Sequence, residues 1–170
     1  MKILASTLAA AGMLAAFSMS AAWAAETASA DILDNKGQKI GQATFTAAPE
    51  GVLLRLSVQG LPPGWHGAHF HAMGDCSDHE KFMASKGHVT HDDKPHGLLN
   101  AKGTHAGDLP NLYVHADGKG EAEMFTHLAM LEKDLLDADG SALVIHAGPD
   151  DHMTQPIGGA GDRIACGVIK

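Results

Sequence analysis

Cysteine is scarce in this chain: Cys76 and Cys166 are the only two in 170 residues. Neither stands in a C-x-x-C pair, which argues against a zinc or copper thiolate site. Basic side chains are also in deficit, with 12 Lys and Arg against 20 Asp and Glu and a formal net charge of −8. That acidic balance argues against nucleic acid and against an anionic membrane as partners. Past residue 24 no apolar run approaches the length of about 20 residues that a bilayer-spanning helix needs. Internal repeats and low-complexity linkers are missing too, and the length suits one domain around a single core.

The N-terminus is different in character. "MKILASTLAAAGMLAAFSMSAAWAAE" has an early Lys2, an apolar run through Phe17, and the small-residue pattern Ala22-Trp23-Ala24. These are the parts of a secretory signal peptide, expected over residues 1–24 with cleavage after Ala24, leaving a mature domain over 25–170. An uncleaved membrane anchor is the alternative, but Ser18 and Ser20 interrupt the run and it is short for spanning. The short leader has a bacterial look and points to the periplasm, with no membrane attachment once it is removed. In that oxidising compartment Cys76 and Cys166 read most simply as one disulfide, worth roughly 4 to 5 kcal/mol in the chain-entropy picture. Two separate buried thiols remain the other reading.

Beyond the leader, short alternating segments are punctuated by turn residues. "ADILD" precedes Asn35-Lys36-Gly37, "KIGQATFTA" leads to Pro49-Glu50-Gly51, and "VLLRLSVQGL" runs into Pro62-Pro63-Gly64. "LYVHADGKGEAEMF" carries a turn at Asp117-Gly118, and "GSALVIHAG" and "IACGVIK" close the series. Period-two alternation between such turns predicts strands and hairpins, and "LAMLEKDLLDADG" allows a short helix at Leu131 to Leu135. The fold class expected is all-β, an antiparallel sandwich or barrel. Two stretches, Asp75 to Leu112 and Gly148 to Arg163, do not fit strands and are expected to be long functional loops.

Those two loops and their flanking strand ends hold most of the chain's 12 histidines. In "HGAHFH", His69 and His71 are two apart in strand-like sequence, so their side chains face one way and can share an ion. His88, His96, His105 and Asp108 follow in a glycine-broken stretch, and His146 ends the "LVIH" segment. Nitrogen-rich ligation suits copper or zinc, and three His with one Asp suits tetrahedral zinc. These seven candidates are too many for one ion. A lone histidine is usually a solvated surface group or a satisfied core group, but that explanation is weak for a set bracketing turns in two loops and two strand ends.

Together "HGAHFH", "GHVTHDDKPHG", "HAGDLPN", "VIHAGPDD" and "GGAGDRIACGVI" resemble the copper,zinc superoxide dismutases, specifically the secreted bacterial type, over Ala30 to Lys170. The resemblance implies a Greek-key antiparallel β-sandwich or barrel of about eight strands with two long functional loops. It implies copper on His69, His71, His88 and His146, and zinc on His88, His96, His105 and Asp108, so that His88 is shared. Asp150 would hold one copper and one zinc histidine by their remaining nitrogens, and Cys76 with Cys166 would form the family's disulfide. Arg163 and His88 would be the catalytic residues, the first attracting superoxide and the second carrying a proton. The implied activity converts two superoxide anions and two protons to dioxygen and hydrogen peroxide by cycling of the copper, with zinc redox-silent; a homodimer is left open.

Some positions depart from the family's pattern. Ala68 stands where a larger apolar residue is common, and Val89-Thr90-His91 follow the shared histidine in place of an Asn-Pro or Asp-Pro. His91 could compete for metal. No lysine matches those that steer substrate in the eukaryotic branch, and Lys81, Lys86, Lys94 and Lys102 are the local candidates, each more simply read as part of a solvated face. His66, His79, His115, His127 and His152 have no role by resemblance. The rival reading is a non-catalytic periplasmic protein that buffers or delivers copper and zinc.

Overall fold

The structure, a computed structural model, describes residues 25–170; the expected leader and its cleavage point lie outside them. Nine strands form the frame: β1 Thr27–Asp34, β2 Lys39–Ala48, β3 Gly51–Gln59, β4 Gly64–His66, β5 Ala68–His71, β6 Leu112–Val114, β7 Lys119–Thr126, β8 Ala142–His146 and β9 Arg163–Val168. All pairings are antiparallel, in the order β4-β6-β7-β3-β2-β1-β9-β8-β5. The two strands at the ends of that order, β4 and β5, are joined by the single residue Gly67. A sheet whose two edges are covalent neighbours has to roll up, and the result is a nearly closed Greek-key barrel.

The expected count of about eight strands becomes nine because "HGAHFH" does not run as one strand. Gly67 interrupts it, donating its N–H to Gly148 O and accepting from His146 N, so the chain changes neighbours there from β6 to β8. Alternation along the strands turns one face of each into the core. Ile32, Phe45, Leu54, Leu56, Phe70, Leu112, Val114, Leu143 and Ile145 are buried, and Phe45 meets Phe70 edge to face at 6.0 Å. Arg55 and Glu123, paired across β3 and β7, form an ion pair on the solvent face. The segment at Leu131–Leu135 makes a single wide helical turn, and among the described residues no helix is long and apolar enough to cross a membrane.

Both long connections lie where the sequence puts them, between β5 and β6 and between β8 and β9. The first is stitched to the barrel through β5: Phe70 N donates to Gly107 O, Gly107 N to Val89 O, and Val89 N to Phe70 O. The backbones approach so closely that a Cβ on residue 107 would overlap Phe70 O, so only glycine fits. Single bridges set Asp108 opposite His69 and His88 opposite His71. Cys76 and Cys166 form a disulfide, tying the start of this loop to β9.

Candidate metal centre

β5 turns Phe70 into the core and His69 and His71 to the other side, beneath the loops, where both are fully buried. The bridge to His71 places His88 beside them, and β8 ends at His146, also fully buried. One ring nitrogen from each of these four histidines lies within 4.8 Å of the other three. Every ring is pinned at its other nitrogen. His69 Nε2 meets Asp150 Oδ2 at 2.7 Å, His71 Nδ1 meets Lys86 O at 2.8 Å, His88 Nδ1 meets Asp108 Oδ1 at 3.0 Å, and His146 Nδ1 meets Gly161 O at 3.0 Å.

The nitrogens left over are His69 Nδ1, His71 Nε2, His88 Nε2 and His146 Nε2, and none of them has a hydrogen-bond partner within the protein. Burying a polar atom without a partner is costly, and four converging on one point is the arrangement of ligands awaiting a cation. Their all-nitrogen character suits copper. His79 Nδ1 and His152 Nδ1 are also unpartnered, but neither belongs to a convergent group among the described residues.

A second convergence lies on the far side of His88. His96 Nδ1 approaches Asp108 Oδ1 at 2.7 Å, and His105 Nδ1 lies 3.2 Å from His88 Nδ1 and 3.7 Å from Asp108 Oδ1. Ligand atoms of His69, His88, His96 and Asp108 lie within 4.8 Å of one another there, and His105 joins them through its approach to His88 and Asp108. Three histidines and one aspartate at this focus suit tetrahedral zinc. Thus His88 presents Nε2 to one group and Nδ1 to the other.

Asp150 links the two groups, with Oδ2 on His69 and Oδ1 on His96 Nε2 at 3.1 Å. Burial opposes its charge, yet hydrogen bonds from His69, His96 and the His152 N–H hold its pKa well below the usual carboxylate range. Asp108 is held lower still, against the same opposition, by His88, His96, the Gly97 N–H and the Thr104 hydroxyl. On the all-nitrogen side, burial dominates: it lowers His69 to about 3 despite the bond to Asp150, and lowers His146 to about 4. His71 is pushed well below its ordinary value by burial, with His88 and Arg163 adding to it. His96 goes the other way, because Asp108 and Asp150 together outweigh burial and raise it to about 9. Neutral His69, His71 and His146 and an ionised Asp108 are the protonation states a cation site requires, whereas His96 has to give up its proton for a cation to bind there.

Arg163, half-buried at the start of β9, reaches across to the first loop. Its Nη1 donates to Phe82 O at 2.7 Å and Ser85 Oγ at 3.1 Å, and its Nη2 donates to Lys86 O at 2.8 Å. Lys86 O therefore accepts from both His71 and Arg163, and keeps the guanidinium next to the four-histidine group. Phe82 and Lys86 hold φ of 52° and 64°, unusual for non-glycine residues and worth about 1–3 kcal/mol of strain each.

The family whose sequence profile fits this chain is copper/zinc superoxide dismutase, matched over residues 39–169. The chain belongs to that family. Among its relatives in the family, a Cu-Zn superoxide dismutase of Caulobacter vibrioides is 51% identical over 150 residues, covering 85% of this chain and 86% of that protein. One from Aquifex aeolicus is 44% identical over 146 residues, covering 83% and 86%. The crystal structure of a superoxide dismutase-like protein from Bacillus subtilis superposes with a TM-score of 0.78 at 36% identity, covering 82% of this chain and 96% of that one. The Cu/Zn superoxide dismutase of Brucella abortus superposes at 0.72 with 30% identity, covering 85% and 100%.

Sequence reasoning missed the residues that hold the histidines' surroundings. Gln155 imitates a strand neighbour for His96, accepting from its N–H and donating to its carbonyl, both at 2.8 Å. Asn111, which closes the quoted motif "HAGDLPN", does the same for Asp150 at 2.9 and 2.8 Å. Polar loop residues of this kind carry no pattern in sequence. His91 points away from both groups, its Nε2 3.4 Å from Asp134 Oδ2.

Proposed function

We propose that the chain is a superoxide dismutase, with copper held by His69, His71, His88 and His146 and zinc held by His88, His96, His105 and Asp108. The carrying observation is the set of four buried, unpartnered ring nitrogens converging from His69, His71, His88 and His146. Copper supplies the one-electron exchange by which one superoxide becomes dioxygen and a second, with two protons, becomes hydrogen peroxide. His88 is the proton carrier, since Nε2 can hold a proton while Nδ1 stays fixed at the zinc group. Arg163 orients the anion: the loop occupies three of its donors, leaving Nε–H and one Nη2–H for superoxide. Asp150 keeps His69 and His96 in register and the disulfide fixes the loop beneath Arg163.

The same reading places the protein outside the cytoplasm. A Cys76–Cys166 disulfide is compatible with an oxidising compartment. Residues 1–24 are the export signal in this reading and 25–170 the mature periplasmic domain.

Metal analysis with paramagnetic resonance tests the ligand assignment. Reconstituted protein should hold one copper and one zinc per chain, and the copper signal should change when zinc is withdrawn, because one ring serves both. His88→Ala leaving both occupancies and the signal unaltered would refute the shared ring.

A further inference from the structure

Arg163 is built from two separate parts of the chain. Its backbone belongs to β9, whereas the carbonyls and hydroxyl that hold its guanidinium belong to the loop at Phe82–Lys86. Any slip between loop and strand therefore moves the guanidinium relative to His71. The disulfide at Cys166 ties the two together three residues beyond Arg163.

A second tie comes from a third element. β1 pairs with β9 only at Leu33↔Cys166 and Asp34↔Ala165, so that ladder has ended before it reaches Arg163. The side chain of Asn35, at the tip of the β1–β2 hairpin, continues it: Nδ2 donates to Arg163 O at 3.1 Å. The same amide donates to His79 O at 2.8 Å and Glu80 O at 3.1 Å, both in the disulfide-tied loop. Asn35 is itself fixed by the turn it sits in, where Asp34 Oδ1 accepts from Lys36 N and Gln38 N at 2.8 and 2.9 Å. Gly37, at φ 72°, lies against the His79 ring.

We propose that Asn35 is a positioning residue for Arg163, an amide clamp that locks β9 to the loop and thereby sets where the guanidinium meets an incoming anion. The proposal rests on the reading of Arg163 as the group that orients superoxide. One side chain bonded to the backbone of Arg163 and to the segment leading into its cradle at Phe82 fixes both ends of the arginine at once. A capping role alone would require only one of these contacts.

Asn35→Asp keeps the shape and sets a carboxylate against three carbonyl oxygens; Asn35→Ala removes the donors without that repulsion. At matched copper and zinc content, both variants should lower the superoxide decay rate by roughly three- to tenfold, the scale of a small displacement of a reacting group. In an Arg163→Ala background, Asn35→Ala should change the rate by less than about twofold, since no guanidinium remains to be misplaced. Metal-free protein labelled with nitrogen-15 gives a readout apart from turnover: the Arg163 Nη protons, which Phe82 O, Ser85 Oγ and Lys86 O hold, should exchange with solvent about tenfold faster in both variants than in wild type. Unchanged exchange in both variants overturns the clamp whatever the activity does. An equal rate loss from Asn35→Ala with and without Arg163 overturns it too, making Asn35 a stabiliser only. Faster exchange combined with equal rates for wild type and Arg163→Ala upholds the clamp and removes the anion-orienting reading of Arg163.

Discussion

Asp150 shows how much one side chain decides. Fully enclosed, it accepts from His69, His96 and the His152 N–H, so each of its oxygens serves a different histidine. Asp150→Asn leaves one acceptor oxygen where two are needed. Copper and zinc affinities should both fall, by about 10- to 100-fold as for other groups that orient metal ligands. Competition against a chelator measures this, and loss of one metal alone would show that the carboxylate does not couple the sites. Arg163 is expected to behave differently. Arg163→Ala should leave both metals in place while cutting the dismutase rate by roughly tenfold or more, and Arg163→Lys should recover part, keeping charge without the fork. Raising ionic strength should slow wild type more than Arg163→Ala if local positive charge guides the anion on a chain of net −8. Equal rates for wild type and Arg163→Ala at matched copper content would remove the arginine from the mechanism, and negligible rates in both would favour the metal-carrier reading.

Among the elements, the strands are legible in the sequence and the loops' interiors are not. β3 alternates so regularly that its buried residues follow from "VLLRLSVQ" alone. The break at Gly67 is invisible because the pattern continues through it, and only the change of neighbour from β6 to β8 reveals it. Within the site, the seven ligand candidates are legible as residue types at telling spacings. Which nitrogen each ring offers is set by Lys86 O, Gly161 O, Asp108 and Asp150, contacts that depend on how the loops lie. The first loop is organised locally by Asp78, whose carboxylate accepts from Met83 N at 2.7 Å and Ala84 N at 3.0 Å. The disulfide spans a sequence separation of 90, so Cys76→Ser should lower stability by roughly 4 kcal/mol or less and loosen the Arg163 cradle with it. Thermal unfolding checks the first part. A rate unchanged at temperatures where the variant remains folded would contradict the second.

For the whole molecule, the opposed histidine shifts fix how metal-free stability depends on pH. His69 at about 3, His146 at about 4 and the depressed His71 are neutral in the fold, while in the unfolded chain they take up protons below about 6.5. Acid therefore favours unfolding from about pH 6.5 downward, and the depressed Asp108 and Asp150 add to this near the ordinary carboxylate range. His96, raised to about 9, has the opposite sign: its contribution is full below about 6.5 and is lost as pH climbs through about 9. Metal-free protein should thus have its highest melting temperature near neutrality, falling on both sides. A melting temperature flat between pH 7 and 5 would contradict the buried, neutral state of the histidines.

The single bridges from Asp108 to His69 and from His88 to His71 have a consequence for self-association. β8 occupies one side of β5, and the loop bearing His88 and Asp108 lies along the other. An uncovered strand edge is a template on which another chain can add a strand, and barrels normally escape this by closing. In this molecule closure at β5 is completed by the segment whose histidines and aspartate would grip the ions. Metal-free, disulfide-reduced protein should therefore aggregate faster than metal-loaded, oxidised protein, and equal light scattering from the two would show that the loop covers this edge without them.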